Sequence, residues 1–347
     1  MTLVFLLCAF VAAASGAEKV RITETAGVAR SSDPVCVTLE DKEQCFFVTI
    51  GARQSKVFST DDLRPLESLE LRVTDPVGYQ VENSAYLADL SKRILGAAIE
   101  DSGTLRGLVF KEFGVRLERD QNRMHWAPSF QREGARSYTS IATWHPVQKA
   151  RREQMPGVLT FTRDGFHEAY PEIRLHTEYR FFAHVPYFLF HSTMTIEKPI
   201  AMFWLRNQEM TMDGLFTHVA WPGEDGKPVI VDFEQRKPIL DKKPLAADIP
   251  WVAFLHREKG YGFGAVVLDH KAAKTANPLT SINDGARGGR YWDRRLINQI
   301  VTPLTPGDRY EERSAYVLFR CSGPEPVKEF LEWEKRIRNP VRVEAAR

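Results

Sequence analysis

The chain has 347 residues, and 47 Lys and Arg against 45 Asp and Glu give a formal net charge of +2 at pH 7. Hydrophobic residues make up 43% of the sequence and aromatic residues 11%, which is typical of a globular protein with a sizeable core. A charge this close to neutral gives no overall field to attract a nucleic acid or a membrane surface, so neither is expected as a partner.

Residues 1–17 are typical of a secretory signal peptide. Residues 3–14 form an apolar run without charge, and residues 15–17 are the small residues that a signal peptidase prefers. The run is too short to span a bilayer as a helix, and no later segment is long and apolar enough to do so. We therefore expect an exported protein, periplasmic or secreted, without a membrane span.

Three cysteines follow this segment. Cys36 and Cys45 flank a polar turn at residues 40–43, so a hairpin would place them opposite each other. In an oxidising compartment they would form a cross-strand disulfide, and the alternative is a pair of buried free thiols. Cys321 is expected to be a small core residue.

Short runs typical of β-strands recur along the chain, separated by turn residues, without a βαβ rhythm or a Gly-rich phosphate loop. The pattern predicts an all-β fold, a large antiparallel β-sandwich with a short C-terminal helix. The predicted strands cover residues 46–50, 68–73, 105–110, 157–162, 188–196, 201–205, 229–233, 251–255, 262–268 and 314–320.

Helical spacing of apolar residues occurs in two places. Residues 326–338 carry an apolar stripe between Pro326 and Pro340 and are predicted as a helix. Residues 84–100 have a helix-like spacing directly after a strand-like one, and the pattern does not decide between the two. A boundary at Asp75 and Pro76 would separate an N-terminal β unit, residues 18–75, from a main sandwich domain, residues 76–347.

Residues 173–181 alternate between apolar side chains and the polar series Arg174, His176, Glu178 and Arg180. Because successive side chains of a strand point to opposite faces, one face would pack and the other would present these groups in a row. An ion-pair ladder on a solvated face is the alternative, favoured for Arg174 and Glu178.

Residues 81–86 and 103–111 resemble the first strands of the β-supersandwich of carbohydrate-processing proteins. There, a strand with an Asn and an aromatic residue precedes a strand that begins with Gly. Galactose-mutarotase-like proteins and many polysaccharide lyases share this fold. Residues 178–180, 188–196 and 206–209 resemble its long central strands, and the resemblance extends over about residues 78–320. It implies a carbohydrate as the partner.

Several candidate residues have side chains that suit a sugar site. A Trp offers a flat face to a sugar ring, and a neighbouring His can transfer a proton. The Gly- and Arg-rich stretch at residues 283–295 could bind carboxylate or sulfate groups. The candidate substrate-binding residues are His125, Trp126, Trp144, Arg180, Trp221, Arg287, Arg290 and Trp292. A structural alternative exists for each of them: core packing for Trp and His, pairing with Asp284 and Asp293 for Arg287 and Arg290, and the ion-pair ladder for Arg180.

These observations favour a polysaccharide lyase-like enzyme that acts on an acidic glycan by proton abstraction and β-elimination. His145 or His218 would be the base and Tyr291 the acid, and the site residues are expected to converge on one cleft. The alternatives are a mutarotase-like or hydrolase-like enzyme on a neutral sugar, and a glycan-binding protein without catalysis. No cofactor or catalytic metal is expected, and a structural calcium ion stays open as an alternative.

Overall fold

A computed structural model describes residues 19–39, 42–59, 70–74, 78–90, 93–95, 98–100, 103–119, 124–284 and 288–346. The predicted signal peptide, the proposed boundary at Asp75 and Pro76, and Arg287 lie outside the described residues. No helix in the described part of the chain is long and apolar enough to cross a membrane.

The described residues are mostly β-strand, as the alternating apolar pattern predicts. The first thirteen strands are β1 (Lys19–Thr23), β2 (Arg30–Leu39), β3 (Lys42–Ile50), β4 (Ser55–Ser59), β5 (Glu70–Thr74), β6 (Gly78–Glu82), β7 (Tyr86–Asp89), β8 (Arg93–Leu95), β9 (Ala98–Glu100), β10 (Gly107–Phe110), β11 (Val115–Glu118), β12 (Ser129–Arg132) and β13 (Thr139–Ser140). The others are β14 (Lys149–Met155), β15 (Val158–His167), β16 (Tyr170–Phe182), β17 (Tyr187–Ile196), β18 (Ile200–Met212), β19 (His218–Pro222), β20 (Pro228–Asp232), β21 (Trp251–His256), β22 (Tyr261–Ala272), β23 (Leu279–Asp284), β24 (Arg290–Leu304), β25 (Arg309–Arg320) and β26 (Arg342–Ala345). The helices are α1 (Arg236–Lys242) and α2 (Lys328–Arg338).

Two antiparallel sheets dominate the fold. The large sheet has nine strands in the order β14-β15-β16-β17-β25-β22-β21-β19-β20. The second, which we call the cleft sheet, has five strands in the order β13-β12-β18-β24-β23. Another five-stranded sheet, β11-β10-β7-β6-β5, precedes them in the chain. The prediction of an all-β antiparallel sandwich with a short C-terminal helix is confirmed.

The main hydrophobic core lies between these sheets. Side chains from the large sheet, such as Leu175 and Phe190, belong to one buried cluster with Leu205, Met210 and Trp292 of the cleft sheet. Side chains alternate along a strand, and Arg206 and Glu209 of β18 and Tyr291 and Arg295 of β24 lie on the other face of the cleft sheet. That face carries the candidate site.

The opposite face of the large sheet is covered in part by α2. Phe330 of α2 is fully buried, and its ring lies 5.5 Å from Trp251 and 5.2 Å from Phe319. An added Cβ on Gly264 would lie 2.4 Å from this ring, so a glycine in β22 makes room for the helix. The predicted C-terminal helix thus forms because its apolar stripe has a sheet to cover.

The first and last strands of the described residues lie in one three-stranded sheet, in which β1 pairs with both β4 and β26. The hairpin of β2 and β3 places Cys36 opposite Cys45, and the two form a disulfide. Cys321 is a buried free thiol, as a small core residue would be.

In the segment with ambiguous spacing, residues 84–100, the structure contains the short strands β7, β8 and β9 and no helix among the described residues. Helix α1 had no counterpart in the sequence pattern.

Candidate functional site

The open face of the cleft sheet contains a cleft of about 440 Å³. Its floor comes from β18 and β24, which are neighbours in the cleft sheet. The lining combines arginines, aromatic rings, amides and one buried carboxylate: Arg119, Trp126, Gln131, Tyr138, Phe203, Trp204, Arg206, Glu209, Thr211, Tyr291, Arg295 and Gln299.

A β-bulge in β18 places Arg206 and Glu209 on the same face of the cleft floor. In a regular strand, Arg206 and Glu209 would point to opposite faces, because they are three residues apart. In β18, Asn207 pairs with Arg294 and Met210 with Trp292, so Gln208 and Glu209 together stand opposite a single residue of β24. The extra residue returns Glu209 to the face of Arg206.

Arg206 is the centre of a buried ionic cluster. Its Nη1 lies 3.0 Å from Oε1 of Glu209 and 3.1 Å from Oδ2 of Asp293. Its Nε donates to Oγ of Ser129 at 3.1 Å, and that hydroxyl donates to Oε2 of Glu209 at 3.1 Å. Nε of Arg295 donates to the other oxygen of Asp293 at 3.0 Å. Two guanidinium groups thus hold two carboxylates, Glu209 in the lining of the cleft and the fully buried Asp293 next to it.

Burial shifts the proton affinities of this cluster. Burial raises the pKa of Glu209 from 4.5 to about 7, with Asp293 acting in the same direction and Arg206 opposing it. Burial and the nearby charge of Asp293 also raise the pKa of the Tyr291 hydroxyl. At neutral pH Glu209 can therefore either accept or release a proton, while Tyr291 stays protonated.

Aromatic rings surround the ionic cluster. The rings of Trp126 and Tyr138 lie 6.2 Å apart, and the guanidinium of Arg206 lies 4.6 Å from the centre of the Tyr138 ring. On the other side, Arg295 lies 4.9 Å from the ring of Trp204. These stacked cations fix the orientation of the rings, and the rings limit access of water to the charges.

Arg119 contributes a third guanidinium from outside the sheet. Its side chain is only 7% exposed, although it lines the cleft, and its Nη1 donates to Asp213 at 3.3 Å. A Cβ added to Gly289 would lie 2.4 Å from this Nη1, so the absence of a side chain at Gly289 makes room for the arginine. Part of the predicted Gly- and Arg-rich stretch therefore shapes the cleft through its backbone.

The structure brings two of the sequence-predicted site residues into this cleft, Trp126 and Tyr291. Their neighbours in the chain, His125 and Trp292, point to the interior and are buried, because adjacent residues of extended chain face opposite ways. Nδ1 of His125 lies 2.5 Å from the hydroxyl of Tyr179, and burial lowers the pKa of His125 to about 3. Trp221 is also a buried core residue.

The other predicted residues that the structure describes do not line the cleft, so these described candidates do not converge on one site. Trp144 is buried and donates from Nε1 to the carbonyl of Phe166 at 3.1 Å, with the partly exposed His145 beside it. His218 lies at the start of β19, 2.8 Å from the hydroxyl of Thr217, and burial lowers its pKa.

The two described arginines of the prediction have structural partners. Arg180 belongs to the large sheet, and its Nη2 lies 3.5 Å from the sulfur of Cys36. Nη1 of Arg290 donates to Asp284 at 2.8 Å, which is the pairing that the structural reading of this stretch expected.

Sequence reasoning missed most of the cluster. Arg206 and Glu209 lie in the stretch 206–209, whose sequence resembles a long central strand of the β-supersandwich, but only the bulge places them on one face. For β24 a signal was present: Tyr291, Asp293 and Arg295 occupy alternate positions, which is the pattern of one polar strand face. Arg119, Ser129 and Tyr138 come from separate segments and gave no signal.

No group of three or more His, Cys, Asp or Glu side chains that could hold a metal ion occurs among the residues the structure describes. The carboxylates of the floor are held by arginines instead.

No known protein-family model matches this sequence, and no curated protein is detectably similar to it. Among solved structures, an α-mannosidase from Enterococcus faecalis V583 matches with a TM-score of 0.59 and 10% identity, over 95% of this chain and 46% of that one. A protein in the Glycosyl Hydrolase Family 38 from Enterococcus faecalis matches with a TM-score of 0.52 and 11% identity, over 95% and 42%. A galactose mutarotase-like protein from Lactobacillus casei ATCC 334 matches with a TM-score of 0.41 and 13% identity, over 69% and 99%.

The first two matches establish a shared fold, and this chain spans less than half the length of either protein. The predicted resemblance to the carbohydrate-processing β-supersandwich is confirmed at the level of the fold. Identities this low do not transfer an activity, which has to be argued from the cleft itself.

Proposed function

We propose that the protein is an exported, carbohydrate-active enzyme that binds an acidic glycan in the cleft and cleaves it by β-elimination. The observation that carries this proposal is the position of Glu209. It is a buried carboxylate on the floor of a cleft lined by guanidinium groups and aromatic rings. The structural matches to an α-mannosidase and to a Glycosyl Hydrolase Family 38 protein support the carbohydrate class.

The walls of the cleft suit an acidic sugar. The rings of Trp126, Tyr138 and Trp204 offer flat apolar faces for sugar rings. Arg119 and Arg295 are the guanidinium groups that we assign to the anion of the sugar, since a guanidinium binds carboxylate or sulfate through two parallel hydrogen bonds. Arg119 and Arg295 each bind one aspartate, whereas Arg206 binds Glu209, Asp293 and Ser129, so we assign Arg206 to the floor.

The chemistry is assigned to Glu209 and Tyr291. Ionised Glu209 removes the proton from the carbon next to the carboxylate of the sugar. The electron pair forms a carbon–carbon double bond as the bond to the glycosidic oxygen breaks, and Tyr291 donates its hydroxyl proton to that oxygen. Solvent then returns a proton from Glu209 to Tyr291, which resets both groups.

A glycan-binding protein without catalysis is the second candidate. One observation favours it: both oxygens of Glu209 are engaged, one by Arg206 and the other by Ser129. In this candidate function, the carboxylate orients Arg206 and takes no part in proton transfer.

Export remains a proposal that the disulfide between Cys36 and Cys45 supports, because disulfides persist in oxidising compartments. The intact mass of protein recovered from the periplasm or medium tests it. A mature chain beginning near Ala17 or Glu18 is expected, and retention of residues 1–16 would refute the argument.

The activity is tested with a panel of acidic polysaccharides, by following the ultraviolet absorbance of unsaturated uronates and by calorimetric binding. Turnover should rise with pH through about 7, as Glu209 ionises. Glu209→Gln and Tyr291→Phe should abolish turnover and retain binding, whereas Trp204→Ala should weaken both. The exposed Glu258 provides a control, since Glu258→Gln should change neither. Binding without absorbance change on any glycan would favour the second candidate.

A further inference from the structure

The bulge that presents Glu209 requires an unusual backbone conformation. Gln208 has a φ of 53°, in the left-handed region that residues other than glycine seldom adopt. A side chain in this region carries a conformational cost, so surrounding interactions must hold it there. Gln208 is buried, and solvent therefore cannot satisfy its backbone N–H.

The interaction that holds the bulge comes from the large sheet. The backbone N–H of Gln208 donates to Oε2 of Glu312, in β25, at 2.8 Å. The hydroxyl of Ser314 donates to the other carboxyl oxygen of Glu312 at 2.8 Å and lies 3.3 Å from Nε2 of Gln208. Glu312 and Ser314 of β25 thus form hydrogen bonds with the backbone and the side chain of Gln208 across the interior.

Glu312 is fully buried between two sheets whose contacts are mainly apolar. A carboxyl group in this position is costly to bury, so its partners have to offset that cost. The carboxyl group also interacts with the buried Arg294 and the hydroxyl of Tyr316, and it supplies the acceptor that the buried N–H of Gln208 would otherwise lack.

We propose that Glu312 is a positioning residue that sets the bulge at Gln208 and so keeps Glu209 on the cleft face of β18. The role of the positioned group rests on the proposed function of Glu209, but the positioning itself does not. If the bulge flattened, the register of β18 would shift by one residue. Every side chain on one side of the shift would then change face. Glu209 would turn into the interior and leave Arg206 with Asp293 alone.

Two matched pairs of variants test this inference. Gln208→Gly and Gln208→Val both remove the side-chain contact with Ser314, but Gly favours the left-handed backbone and Val opposes it. Glu312→Gln keeps an oxygen acceptor for the N–H of Gln208, and Glu312→Leu removes it at similar volume. Each variant is measured in two ways. The first is the pH range over which the free energy of unfolding changes because Glu209 ionises, with Glu209→Gln as reference; we call this change the step in stability. The second is turnover of the glycan panel.

Gln208→Gly and Glu312→Gln should keep the step in stability near pH 7 and turnover within about threefold of wild type. Gln208→Val and Glu312→Leu should move that step well above pH 7, because a Glu209 turned into the interior loses the opposing charge of Arg206, and should lower turnover at least tenfold. A step near pH 7 in folded Gln208→Val and Glu312→Leu would overturn the inference. If either fails to fold, the other pair decides.

The two proposals fail in different ways. A wild type that turns over no glycan, with the step in stability behaving as stated, would remove the proposed function and leave the positioning role. Turnover that depends on Glu209, with a step that none of the four variants moves, would remove the positioning role alone.

Discussion

Replacing Glu209 by Gln should make the protein less sensitive to pH. The carboxyl group of Glu209 is 4% exposed, and its two oxygens are bonded to Arg206 and Ser129. Gln has nearly the same shape as a protonated Glu but cannot ionise. The variant therefore removes one titration while leaving the packing of the cleft floor in place.

The size of the effect follows from the pKa of Glu209, which burial raises from 4.5 to about 7. Because the folded-state pKa lies above the unfolded one, the folded state is favoured most below about pH 4.5, where both states are protonated. As the pH rises through the interval, the unfolded state loses its proton first and stability falls. A shift of this size, at about 1.4 kcal/mol per unit, corresponds to a loss of about 3 kcal/mol by pH 7 to 8.

The measurement is urea unfolding of both proteins at several pH values from about 4 to 8, from which the free energy of unfolding is extrapolated. Other ionisable groups cancel in the difference between wild type and variant. That difference should change by about 3 kcal/mol in favour of the variant as the pH rises. Glu258→Gln, at an exposed turn, should give a curve parallel to that of wild type. Parallel curves for Glu209→Gln as well would refute the argument that Glu209 is held in a setting that favours its protonated form.

Two further predictions concern stability away from the cleft. Phe330→Ala should lower the free energy of unfolding by about 3–5 kcal/mol, because the ring is fully buried under α2, while Ile239→Ala at an exposed position should change it by less than about 0.5 kcal/mol. Equal effects of the two would contradict the packing of α2 on the large sheet. Replacing Cys36 and Cys45 together by Ala should cost about 2–3 kcal/mol, from the loss of a short covalent loop, in the same unfolding assay. A mass for the wild type matching free thiols would refute the bridge.

The fold could be predicted from sequence wherever burial is regular. The run at residues 251–255 lies within β21, and the apolar stripe at residues 326–338 forms α2, because each has a face that a neighbouring sheet covers. Residues 84–100 were ambiguous, since apolar residues three and four apart occur in a helix but can also fall in several short strands. There the arrangement β7, β8, β9 depends on pairing with distant strands, such as β10 with β7, that no local spacing encodes.

The site could be predicted only in part, because strand parity and bulges decide which side chains meet. His125 and Trp126 formed one sequence motif, yet only Trp126 faces the cleft. Tyr291 and Trp292 separate in the same way, with Trp292 in the core. Glu209 reaches its place through one extra residue in β18, and a strand pattern that assumes perfect alternation excludes it.

The burial of the ionic cluster indicates that the cluster has a role other than stabilising the fold. Arg206, Glu209 and Asp293 are all at least nine-tenths buried, and desolvating three charges usually outweighs their mutual attraction. Arg206→Met should therefore cost about 3–5 kcal/mol, because it leaves two buried carboxylates without their shared partner. The triple variant Arg206→Met, Glu209→Leu, Asp293→Leu should recover most or all of that stability and lose glycan binding. A triple variant as unstable as Arg206→Met would mean that the ionic cluster stabilises the cleft sheet. The cost of burying its charges would then no longer be a reason to assign the cluster to ligand recognition.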